Sequence, residues 1–223
     1  MPSRPIAQPV TLPCRSGWSD LRWGMPPPGE TEQQVILWND TVRRNGVVRV
    51  FVGPGMRGSG WAGLIDKAIT VLNQELSNNG IRVAIRKVSN ASEAEATLDI
   101  TPGSELHAQS FLDVGPTSYL QKVTIKVPAT PRVTQRDPKA REVGSGVRLY
   151  MLVHELIHTL GLTNAAHSKD DVFTKKPDLL QKGMVLRGKM VTEDSVRSYD
   201  LNAVMPPIVL GASTLANLKR AWP

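Results

Sequence analysis

Cysteine is nearly absent from this chain. Cys14 is the only one in 223 residues, so no internal disulfide can form and the fold must stand on its core. Aromatic residues are also few, at 5%. Three of the five tryptophans, Trp18, Trp23 and Trp38, fall within the first 45 residues, where they are expected to plug that segment onto the rest of the molecule. No apolar run is long enough to cross a bilayer, which excludes a helical transmembrane segment. The N-terminus, "MPSRPIAQPVTLPC", is broken by prolines and lacks the apolar stretch of a signal peptide. The expectation is export by a leaderless route or after loss of a leader, with a cytoplasmic protein as the alternative. Repeats and low-complexity tracts are missing too. The net charge of +7 comes from scattered Lys and Arg with no nucleic-acid motif beside them, so it reads as a solvated basic surface rather than a specific nucleic-acid site.

What is present is enough for one domain with a sizeable core. Residues 1–45 are rich in Pro, Gly and Trp and carry little periodicity, which predicts an extended segment. The main domain is expected over 46–223. There "VVRVFV" predicts a short buried strand, and "AGLIDKAITVLNQELSNNG" spaces Leu64, Ile65, Ala68, Ile69 and Leu72 as one helix face ending at Asn-Asn-Gly. "IRVAIRKV", "EATLDITPG", "HAQSFLD" and "YLQKVTIKVPA" predict four more strands. "VRLYMLVHELIHTLG" predicts a helix that stops at Gly161, and "STLANLKRAW" a final helix with Ser213 as its cap. This order of elements predicts an α/β or α+β domain, expected as a monomer.

The chemistry concentrates in "VHELIHTLGLTNAAHS", Val153–Ser168. His154 and His158 are four residues apart, so on a helix both imidazoles rise from one face and can reach a single Zn²⁺ at about 2.0–2.1 Å. Glu155 lies one step round the helix, close to the metal without coordinating it, where it can take a proton from water and pass it to a leaving amine. The surrounding Leu152, Val153, Leu156, Ile157 and Leu160 make the helix largely buried, and a metal offsets the cost of desolvating two histidines there.

The motif resembles that of the metzincin metalloproteases, and among them the matrixins, whose signature is H-E-x-x-H-x-x-G-x-x-H. His154, Glu155, His158 and Gly161 match it, and "AVMPPI" is similar to the family's methionine turn, with Met205 as the methionine and Pro207 as its proline. The resemblance covers Val47 to the C-terminus. It implies a twisted, mostly parallel sheet with an active-site helix and a C-terminal helix, a zinc cofactor, and a protein or peptide substrate.

The family's third histidine is replaced here by Asn164, a poor zinc ligand beside imidazole, carboxylate or thiolate. His167, three residues on, is the favoured third ligand, reached if the loop after Gly161 bulges outward and returns. Asn164, Asp170 and Asp171 stay open as alternatives. Glu193 has the wrong surroundings, and His107 reads as an exposed or hydrogen-bonded histidine. Tyr199 precedes Met205 and reads as structural. Cys14 in "LPCRSG" matches the matrixin latency cysteine poorly. The strand around His107–Asp113 is expected at a sheet edge where an extended peptide pairs, and "PPIVL" as an apolar wall for a substrate side chain. The function expected first is a zinc endopeptidase. The rivals are a zinc-holding module with no proteolysis, for partner recognition or toxin-like, and a metal-free structural protein.

Overall fold

The computed structural model describes residues 10–15, 35–104, 108–132, 142–163, 166, 172–174, 185–186, 189–190 and 207–223, with residues 10–15, 185–186 and 189–190 described as backbone alone. In chain order these form β1 (Val10–Arg15), α1 (Asp40–Asn45), β2 (Val47–Val52), α2 (Ala62–Asn78), β3 (Ala84–Val88), β4 (Ala96–Thr101), β5 (Gln109–Val114) and β6 (Leu120–Pro128). Then come α3 (Ser145–His158), a small pair β7 (Val185–Leu186) and β8 (Lys189–Met190), and α4 (Ala212–Ala221).

One six-stranded sheet runs in the order β1-β5-β6-β4-β2-β3. β2 is parallel to β3 and β4, and β4 is parallel to β6. β5 is antiparallel to β6, and β1 is antiparallel to β5. The molecule is thus α/β with a mostly parallel sheet, as the sequence predicts. The central strands form because they are β-branched and buried: Val48 and Val50 of β2, and Val123 and Ile125 of β6, are wholly enclosed. Helix α2 turns Ile65, Ala68, Ile69, Leu72 and Leu76 inward at helical spacing. It stops where Gly80 takes φ +70°. Helices α2 and α3 pack side by side, α2 against β3 and α3 against β5 and β6. No helix among the described residues is long and apolar enough to cross a membrane.

The N-terminal segment is more structured than its composition suggests. Val10–Arg15 supplies the outer strand, Ile36 and Trp38 enter the core, and Asp40–Asn45 forms a short helix. Asn39 caps that helix by accepting from the Val42 N–H, and Gly46 ends it in the left-handed region. At the other end of the chain, α4 begins after Gly211 without a side-chain cap, so Ser213 lies inside the first turn rather than at the cap.

Candidate metal centre

Every residue of α3 from Val147 to His158 is buried, so the helix is a core element rather than a surface one. The Leu156, Ile157 and His158 carbonyls accept from the N–H groups of the next turn, Thr159, Leu160 and Gly161, at 3.0–3.1 Å. The three carbonyls that follow the helix find donors in segments far away in sequence. The Trp38 indole donates to the Thr159 carbonyl at 2.8 Å, and the Trp222 indole to Leu160 at 3.0 Å. The Ile36 N–H donates to Gly161 at 2.8 Å. The burial and bonding of Trp38 agree with its expected anchoring role.

Gly161 turns the chain out of the helix with φ +92°. A Cβ there would stand 2.2 Å from the Ile36 carbonyl oxygen, so no other residue fits without moving backbone. The turn brings the Leu162 carbonyl to 2.7 Å from His158 Nδ1. With its proton on Nδ1 and donated to that carbonyl, His158 presents the Nε2 lone pair. Its Nε2 lies 3.4 Å from His154 Nε2. Two nitrogens bound tetrahedrally to one zinc at ~2.05 Å stand about 3.3–3.4 Å apart. Burial pushes the His158 imidazole down to about 4, against the opposing pull of the Leu162 carbonyl, so the ring is neutral at pH 7 as a ligand must be. The Phe173 ring stands 6.4 Å from His154 and packs on Tyr150.

Glu155 projects towards the sheet and is enclosed, its Oε2 accepting from the Ser110 hydroxyl at 2.6 Å. Sequence reasoning passed over Ser110, since a lone serine in a strand belongs to no motif. One signal was available: Ser110 and Leu112 occupy the inward positions of β5, and a serine in an apolar row needs a polar partner.

The structure brings His154, Glu155 and His158 together and closes all three from solvent. The remaining sequence candidates, His107, Asn164, His167, Asp170, Asp171, Glu193, Tyr199 and Met205, lie outside the described residues. Among the described residues no group of three His, Cys, Asp or Glu is placed to hold a metal. The two histidines have the spacing of a shared zinc, and His158 also has the tautomer and protonation of a ligand; every third-ligand candidate from the sequence lies outside the described residues.

One expectation about the surroundings changes. β5 is not a free edge, because β1 pairs along its outer side from Val10 opposite Val114 to Arg15 opposite Gln109, with Cys14 opposite Ser110. In "PPIVL", Val209 is exposed but Leu210 is buried, bridged to Phe173. A separate cavity of about 680 Å³ opens where β2 and β3 end, lined by Phe51, Arg57, Ile65 and Lys87 among others, and it includes no residue of α3.

The sequence matches no protein-family model and no curated protein. Function therefore has to be read from the site.

Proposed function

We propose that this chain is a zinc-dependent endopeptidase of metzincin type. The observation that carries the reading is the His154–His158 pair, with its Nε2 atoms 3.4 Å apart and Glu155 on the intervening turn. His154 and His158 would hold the metal, with His167 as third ligand. When bound, zinc supplies Lewis-acid activation of water and of the peptide carbonyl. The chain's own work is proton transfer. Glu155 accepts the proton of the attacking water on its carboxylate as the new C–O bond forms, and then returns it to the amine nitrogen as the peptide C–N bond breaks. The Leu162 carbonyl keeps His158 in the tautomer that ligates. The Gly161 turn, the mostly parallel sheet and the C-terminal helix support the metzincin assignment.

A zinc-holding module without proteolysis is the second reading. The filled outer side of β5, where a peptide would otherwise pair, favours it.

One set of measurements separates them. Purified protein is expected to carry one zinc per chain and to cleave peptides until chelated. Glu155→Gln is expected to keep zinc and lose about 10²–10⁴-fold in turnover. His167→Ala is expected to lose zinc where Asn164→Ala retains it. Protein that takes up no zinc at micromolar concentration overturns both readings. An unchanged rate in Glu155→Gln removes Glu155 as the base. Zinc without cleavage leaves the silent module.

A further inference from the structure

We infer that Ser110 is a positioning residue for Glu155, a role that rests on the endopeptidase reading. Helix α3 fixes the Glu155 backbone but leaves its carboxylate able to rotate about the terminal bond, and a proton shuttle must present one oxygen in one direction. The Ser110 hydroxyl removes that freedom by donating to Oε2 at 2.6 Å. Both residues are fully enclosed, so bulk water does not compete for the bond. At 2.6 Å the contact lies at the short end of the range for O–H···O bonds.

Its position in the fold makes the contact rigid. Ser110 sits in β5, which is bonded to β6 on one side and β1 on the other, so its backbone is held by a ladder on each side. At its inward position an apolar side chain would pack as Leu112 does, and serine there gives up burial for a donor. Ser110 itself touches no reacting atom. It acts through Glu155.

The test uses the full chain and the peptide cleaved fastest from a fluorescence-quenched set. Ser110→Ala is expected to lower kcat about tenfold or more while KM and zinc content stay within about twofold, since orientation and not ground-state binding is lost. Ser110→Thr, which keeps the hydroxyl, is expected to recover most of that rate. Ser110→Cys keeps the volume but offers only a weak donor, and is expected to be slow. In a Glu155→Gln background Ser110→Ala should cost nothing further.

A second readout needs no activity. In the metal-free chain, the urea unfolding constants of Ser110→Ala, Glu155→Gln and the double variant should be non-additive by about tenfold. Additive constants overturn the pairing, and so does a Ser110→Ala kcat equal to wild type where Glu155→Gln is inactive. Non-additive unfolding in a chain that cleaves no peptide would keep the contact, defeat the endopeptidase reading and reduce Ser110 to a structural partner.

Discussion

Gly161→Ala is the sharpest test of how the helix end is built. The residue sits at φ +92°, where a Cβ costs about 1–2 kcal/mol. That Cβ would also stand 2.2 Å from the Ile36 carbonyl oxygen, a backbone atom that can retreat only by pulling the 35–38 segment with it. The Ile36 N–H to Gly161 carbonyl bond, 2.8 Å long, is the first to suffer, and a buried backbone group left without its partner costs about 1–3 kcal/mol. The two effects together predict a loss of about 2–5 kcal/mol. Domains of this kind have ~5–15 kcal/mol in hand, so the variant folds but is weakened. Urea unfolding of the metal-free protein measures this as a lower midpoint with an unchanged slope. Gly63→Ala is the control. This exposed glycine in the first turn of α2 has open space around it, and the substitution should stabilise by about 0.5–1 kcal/mol. Zinc affinity should fall ~10- to 100-fold in Gly161→Ala alone, because the displaced Leu162 carbonyl no longer orients His158. A Gly161→Ala protein within about 0.5 kcal/mol of wild type would refute the reasoning.

The metal-free protein should lose stability in acid through His158. Its folded value near 4 lies below the ordinary 6.5, so below pH 6.5 the unfolded chain takes up a proton that the native state refuses. The stability is fully present above pH 6.5 and falls by about 3 kcal/mol as pH drops to 4; a wild-type minus His158→Gln difference that stays flat over this range would contradict it. Trp38→Phe should cost about 1–3 kcal/mol in the same unfolding assay, since the buried Thr159 carbonyl loses its donor. An unchanged midpoint would show that water replaces the indole there.

Periodicity made most of the sheet and both long helices legible, because "VVRVFV" and the Ile65–Leu76 stripe owe their structure to local burial patterns. β1 escaped because "VTLPCR" contains a proline and gains its strand character only by pairing with β5, a partner about a hundred residues away. The six-residue helix at Asp40 was signalled by Asn39 and Gly46 but is too short to show a periodic face. Within the site, the His154–Glu155–His158 spacing was readable because one helix turn fixes it. Ser110 and the Leu162 carbonyl were not, since each meets its partner through tertiary placement, and a backbone oxygen carries no residue signature.

The pairing of β1 with β5 would have a thermodynamic consequence for a peptide that pairs along this side of the sheet. An extended peptide that adds to the outer side of β5 competes for the same backbone donors and acceptors as Val10–Arg15, one strand replacing another. Binding then selects a state in which residues 10–15 have left, and the observed affinity is the intrinsic one multiplied by the fraction of molecules in that state. Each ~1.4 kcal/mol holding the strand in place weakens apparent binding about tenfold with no change in any side chain that touches the peptide. For such a peptide, residues 10–15 would act as a tethered competitor. Because the tether holds them close, the strength of that competition does not fall when the protein is diluted.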